Sequence, residues 1–329
     1  MTEQHPEDIF QPRTDLAALH DAVAAIRAEI GKVIVGQQSM IDQLIAAMLS
    51  NGHVLIEGVP GVAKTLTAKL LSGCMAVPFS RIQFTPDLMP SDVLGTSVFN
   101  PRDSNFEFRP GPIFGSIVLI DEINRSPAKT QAALFEVMEE RQVTVDGKTY
   151  PMQKPFMVVA TQNPVEHEGT YRLPEAQLDR FLFKINVPYP SLDEEVRILE
   201  AHHRLTEGTL ADTIRPVLSA QQIVHLQQTI RALHAEEKLL RFIAQTVTST
   251  RDHPFIFLGA SPRASVAVLM ASKAFAAMQG RDFVTPEDII AALPPVLRHR
   301  IILTPEKEME GVSPDDVIAQ LIEATEIPR

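Results

Sequence analysis

The sequence predicts an α/β fold: a five-stranded parallel sheet with helices on both faces, followed by a smaller all-helical domain. Three observations carry this. Short, continuously apolar runs of strand length alternate with helical runs over the first 190 residues, as buried parallel strands with crossover helices require. Two prolines in "VPYPSLDEE" (187–195) then mark a change of texture. Beyond them nearly every segment is helical in pattern. The expected division is 1–14, a flexible polar tail; 15–190, the α/β core; and 191–329, the helical unit. A length of 329 residues accommodates two domains of about 100–200 residues each.

From Asp15 onward Leu16, Leu19, Val23, Ile26 and Ile30 recur at helical spacing. A turn at Gly36 precedes a second helix around "SMIDQLIAAML". Val54-Leu55-Ile56, "FSRIQF" (79–84), "SIVLID" (116–121), "PFMVVATQ" and "RFLFKINV" are the five core strands. Ser126 is expected to cap the helix "SPAKTQAALFEVMEER", with Pro127 in its first position. Asp146-Gly147 between two β-prone runs signals a hairpin. Ser219 with Gln222 reads as a capping box, and Ser261-Pro262, Thr285-Pro286 and Ser313-Pro314 as helix starts.

Composition narrows the function classes. The net charge of −11 leaves no broad basic footprint for nucleic acid. One cysteine, Cys74, rules out an internal disulfide and suits a reducing cytoplasm; in an apolar helix it is expected to be buried and inert. The acidic N-terminus lacks the basic and apolar regions of a signal peptide, and no apolar run is long enough for a membrane-spanning helix.

Residues 58–65, G-V-P-G-V-A-K-T, follow the first buried strand and open a helix. A phosphate cradle needs inward-facing backbone N–H groups at a helix N-terminus and a cation for the outer phosphates. Gly58, Val59, Pro60, Gly61, Val62, Ala63, Lys64, Thr65 and Leu66 are the residues expected to supply it. Ala63 stands where the general pattern has glycine. Lying at the helix entrance, it is expected in a helical conformation; a positive φ there would cost about 1–2 kcal/mol. Asp121 and Glu122 end an apolar strand, where a carboxylate faces the ligand crevice of an open α/β sheet. Asp121 is placed to serve a Mg²⁺ on the phosphates, and Glu122 to activate water. Asn163 closes the fourth strand and would orient that water. Arg180 precedes the fifth strand, with Asp179 as a surface partner. Arg263 opposes the dipole of the helix it begins by about 0.3–1 kcal/mol, a placement that an anionic ligand would explain. Arg298-His299-Arg300 is a basic cluster suited to a phosphate or a partner. His167, His202 and His203 read as surface histidines, since no second ligand cluster has metal-site spacing.

These segments carry a family resemblance. G-V-P-G-x-A-K-T, "LIDEINRSPAKTQAALFEVMEERQVTVDG", "ATQNP", "EGTYRLPEAQLDRFLF", "GASPRAS" and "PPVLRHRI" are each similar to segments of the MoxR family of AAA+ ATPases, over about residues 15–325. The resemblance implies ATP and Mg²⁺ as cofactors, with Lys64 and Thr65 serving phosphates and Mg²⁺, and Asp121 and Glu122 the Walker B functions. Asn163 would be sensor 1, Arg180 an arginine finger for a neighbouring subunit, and Arg263 sensor 2. It further implies a hexameric ring, an insertion at "TSVFNPRDSNFEFRPGPIF" (96–114), and chaperone-type work on client proteins with a von Willebrand factor A domain partner. A magnesium or cobalt chelatase motor, a nucleic-acid motor and a non-hydrolysing nucleotide scaffold are the other readings.

Overall fold

The computed structural model describes residues 16–59, 61–102, 104–163, 171, 173–204 and 214–328. The expected tail, Pro60 and His167 lie outside them. The chain begins with α1 (Ala17–Gly31), α2 (Gln38–Leu49), β1 (Val54–Gly58), α3 (Lys64–Cys74) and β2 (Phe79–Gln83). Next come α4 (Pro90–Leu94), β3 (Gly95–Asn100), β4 (Asn105–Pro110), β5 (Ile117–Asp121) and α5 (Ala128–Glu140). β6 (Gln142–Val145), β7 (Lys148–Pro151), β8 (Met157–Gln162), α6 (Glu175–Leu178), β9 (Phe183–Val187) and α7 (Leu192–Arg204) follow. The C-terminal part holds α8 (Ala220–Arg231), α9 (Glu237–Ser249), β10 (Ile256–Leu258), α10 (Pro262–Met278), α11 (Pro286–Leu297), β11 (Ile302–Leu303), α12 (Pro305–Met309) and α13 (Pro314–Ala324).

The five expected core strands form one parallel sheet, in the order β2-β5-β8-β1-β9. Alternate residues along the three central strands, β1, β5 and β8, enter two separate cores. Ile56, Leu119, Val159 and Ile185 pack on one face, and Leu55, Val118, Ile120 and Val158 on the other. That explains the unbroken apolar runs: both faces are covered, so neither face needs polar residues. From β1 the chain crosses to β2 at one edge and works back through β5 and β8, so the C-terminal ends of β1, β8 and β5 lie side by side. Such a reversal of strand order is where open α/β sheets bind ligands.

Asp146 (φ 50°) and Gly147 (φ 74°) form the two left-handed positions of the β6–β7 hairpin, as their residue types require. The 96–114 segment contains a second hairpin, β3–β4, which the apolar pattern did not mark. Phe108 of β4 stacks on Tyr150 of β7 at 4.2 Å, joining the two hairpins. The capping box at Ser219 and Gln222 and the three proline-led helix starts are present. The start of α5 is shifted by one: Pro127 is the N-cap, and buried Ser126 lies before it in an extended conformation. Cys74 is buried, which raises its thiol to about 11.

Candidate nucleotide-binding site

Three fully buried residues, Val54, Leu55 and Ile56, deliver the chain to Gly58. A Cβ at Gly58 would sit 2.9 Å from the carbonyl oxygen of Val187, so the approach of β9 demands glycine. Gly61 has φ +89°, in the left-handed half of the map. Ala63 does as well, at φ 56°, and it is the N-cap of α3. The expectation of a helical Ala63 is therefore corrected: the residue bends the loop into the helix. Its conformational cost of about 1–2 kcal/mol is opposed by packing of its methyl on the core. The carbonyl of Ala63 accepts from both the amide and the hydroxyl of Thr67. The first amides of any α-helix lack an acceptor within it, which is why a helix start such as that of α3 suits an anion.

Lys64 lays its Nζ on the carbonyl of Gly58 at 2.6 Å, closing the loop on itself. Gln37, also left-handed, donates to the carbonyl of Val62 at 3.0 Å and ties the start of α2 to the loop. Beside the loop lies a cleft of about 630 Å³ lined by Glu57, Gly58, Val59, Asn186, Pro188 and Tyr189.

Asp121 ends β5 and is nearly buried. One oxygen, Oδ1, accepts from the hydroxyls of Thr65 (3.4 Å) and Thr161 (3.2 Å); the other pairs with Nε of Arg81 at 2.7 Å. Thr65 and Asp121 thus present a hydroxyl and a carboxylate together, the hard oxygen donors that Mg²⁺ takes. Glu122 is left-handed (φ 57°), and its amide donates to the Thr161 hydroxyl at 3.1 Å. Its carboxylate accepts from Nε2 of Gln83 at 2.9 Å and pairs with Nε of Arg125 at 3.1 Å. Asn163, buried, follows β8 one residue past the Glu57–Gln162 pair, between the strand of the loop and the strand of Asp121. The structure therefore brings Lys64, Thr65, Asp121, Glu122 and Asn163 to one end of three adjacent strands.

The two arginines lie together elsewhere. Arg180 donates from Nη1 to the carbonyl of Phe135 at 2.7 Å and stands 3.5 Å from Glu139. Arg263 reaches the same carboxylate at 3.3 Å. A protein carboxylate thus accounts for a cation in the first turn of α10, where the sequence pointed to a bound anion. Asp179 does not pair with Arg180. It binds Arg300 and accepts from the Ser261 hydroxyl.

Arg298-His299-Arg300 is an internal crosslink, engaged with protein carbonyls and carboxylates. The Arg300 side chain is 4 % exposed and donates to the carbonyls of Asp179, Phe181, Leu182 and Val296. Burial, with the charge of Arg300 beside it, holds the His299 imidazole well below its usual range, although its Nε2 faces the carbonyl of Phe181 at 3.0 Å; Arg298 pairs with Asp315. His202 and His203 lie exposed on α7.

Sequence reasoning missed Arg81, Gln83, Thr161 and Glu139. Arg81 and Gln83 left a trace, as polar residues alternating with Ile82 inside a strand beside β5. Glu139 left none, because its partners are 41 and 124 residues away: Arg180 and Arg263.

Comparison with known proteins agrees with this arrangement. Residues 53–183 match the ATPase family associated with various cellular activities, and residues 248–321 match the AAA lid domain. The chain is 45 % identical to YeaC of Bacillus subtilis, covering 94 % of this chain and 96 % of YeaC. It is 42 % identical to the chaperone MoxR1 of Mycobacterium tuberculosis, covering 95 % and 84 % of the two chains. A crystal structure from Cytophaga hutchinsonii, of a protein put forward as an ATPase, superposes with a TM-score of 0.87 at 40 % identity, covering 95 % of this chain and 97 % of the other. Parallel sheet, helical lid and full-length relatives converge: the chain belongs to the MoxR family of AAA+ ATPases.

Proposed function

We propose that this chain binds and hydrolyses ATP with Mg²⁺, as a subunit of a cytoplasmic, hexameric ring that remodels client proteins in the manner of a chaperone. The observation that supports it best is the meeting of Lys64, Thr65, Asp121, Glu122 and Asn163 at three adjacent strand ends. In this reading the chain divides near residue 190 into a nucleotide-binding core and a lid. Residues 58–66 cradle the phosphates, and Lys64 exchanges the Gly58 carbonyl for a phosphate oxygen. Thr65 and Asp121 would hold Mg²⁺, which would supply positive charge to the outer phosphates. Glu122 takes the proton of the attacking water, which Asn163 orients; for this its carboxylate leaves Gln83 and Arg125. Arg180 and Arg263 complete the site of the adjacent subunit, which makes the ring part of the active site. The two hairpins coupled by Phe108 and Tyr150 contact the client, and a von Willebrand factor A domain protein is the working partner.

The test is a fluorescent-nucleotide titration beside phosphate release. Lys64→Ala is expected to lose binding. Glu122→Gln is expected to bind ATP as wild type does and to lose turnover by roughly 100-fold or more. Equal turnover in Glu122→Gln and wild type would contradict the assignment of the base.

A further inference from the structure

Glu139 stands on the last turn of α5, and each of its carboxylate oxygens engages an arginine from a different part of the chain. Oε2 lies 3.5 Å from Nη1 of Arg180, just before β9; Oε1 accepts from Nη2 of Arg263, in the first turn of α10, at 3.3 Å. Two guanidinium groups on one carboxylate repel one another, and the shared negative charge offsets that repulsion.

The supports of the two arginines are joined as well. Asp179, next to Arg180, accepts from the hydroxyl of Ser261, the N-cap of α10, at 3.1 Å, and pairs with buried Arg300 at 2.7 Å. The segment that bears Arg180 and the helix start that bears Arg263 are therefore pinned together. Nε of Arg180 is buried without a hydrogen-bond partner among the described residues, while the Arg263 side chain remains 62 % exposed. Among the described residues neither arginine bonds to Lys64, Thr65, Asp121 or Glu122 of its own chain.

We propose that Glu139 is a positioning residue that sets Arg180 and Arg263 as one paired recognition element for the terminal phosphate held by an adjacent subunit. This rests on the ring ATPase reading above. A terminal phosphate carries more than one negative charge and several acceptor oxygens, which two forked guanidiniums meet together better than either alone. Without Glu139 both arginines keep their charge, but Arg263 loses its carboxylate anchor and Arg180, left on the Phe135 carbonyl, is no longer coupled to it through a shared carboxylate. The loss falls on the chemical step rather than on nucleotide binding.

The experiment measures kcat and KM for ATP with Glu139→Ala and with the near-isosteric Glu139→Gln, then mixes subunits before assembly. The expected result is a fall in kcat of roughly 10- to 100-fold with KM within about twofold of wild type. Lys64→Ala, which keeps its arginines, is then mixed with Glu139→Ala, which keeps its phosphate loop. Recovery of turnover of at least about 2.5-fold over either variant alone is expected, because about a quarter of the interfaces in a randomly mixed ring join an intact loop to an intact arginine pair. Wild-type kcat in both Glu139 variants would overturn the proposal, and so would a mixed ring as inactive as its parts. If Glu139→Ala fails to assemble, Glu139→Gln decides alone, in the same mixture. Absence of turnover in wild type would instead remove the ATPase reading itself, and this proposal with it.

Discussion

Replacing Arg300 with methionine tests the joint between lid and core. Methionine keeps an apolar stem of similar length, so the change removes the guanidinium while leaving much of the packing. The Arg300 side chain is 4 % exposed, and its donors reach the Asp179 carboxylate (2.7 Å) and the carbonyls of Asp179 (3.0 Å), Phe181 (2.6 Å) and Leu182 (3.2 Å). Phe181 keeps a second partner in His299, whereas the Asp179 carboxylate is left with the Ser261 hydroxyl. Breaking a buried pair on one side costs about 3–5 kcal/mol, because a charge stays behind uncompensated. That is a large part of the roughly 5–15 kcal/mol that holds an ordinary domain folded. Urea unfolding followed by circular dichroism measures it. With Asp179→Asn added, the double variant is expected to lose about 2 kcal/mol less than the sum of the singles, since no orphaned charge remains. A loss under about 1 kcal/mol for Arg300→Met, additive with Asp179→Asn, would refute the buried-clamp argument.

Two further outcomes follow from the same geometry. Nδ1 of His53 accepts from the amide of Val158 at 2.9 Å and Nε2 faces the carbonyl of Met138 at 3.1 Å, so the folded state needs the neutral ring; burial pushes its pKa down to about 3. The unfolded chain takes up that proton near pH 6.5, so stability is complete above 6.5 and falls by about 1.4 kcal/mol per pH unit between there and 3. His53→Asn should flatten the acid limb of a stability–pH profile by about one proton, and an unchanged slope would count against it. Thr161 links Glu122 to Asp121 through one hydroxyl. Thr161→Val strands the Glu122 amide, and is expected to cost about 1–3 kcal/mol and to lower turnover while leaving nucleotide affinity unchanged; chemical denaturation and phosphate release check both.

What the sequence made legible follows a physical division. The three central strands were readable because a strand buried on both faces must be apolar throughout, the two edge strands because their apolar residues alternate with polar ones, and helix starts because Ser-Pro and Thr-Pro pairs satisfy local geometry. β3 and β4 escaped because their residues are half-buried or exposed, with no apolar run to mark them. Ala63 was misread because a helix entrance was taken for helix. The glycine that the general loop pattern has at that position was itself the sign of a positive φ. Lys64, Thr65, Asp121 and Glu122 were legible because a short loop or strand end fixes each of them locally. The clamps were not. Arg300 and Asp179 are 121 residues apart, and Glu139 and Arg263 are 124 apart. Periodicity reports the face on which a residue lies, and is silent on which distant residue meets it.

The central claim is that the active site is shared between subunits. Its most direct test is ATP turnover per subunit against protein concentration, for wild type beside Arg180→Ala. The account predicts that wild-type turnover rises with concentration to a plateau as rings assemble, while Arg180→Ala binds ATP, assembles and stays inactive at every concentration. Wild-type turnover that is independent of concentration and unaffected by Arg180→Ala would contradict it, and would place the whole site within one chain.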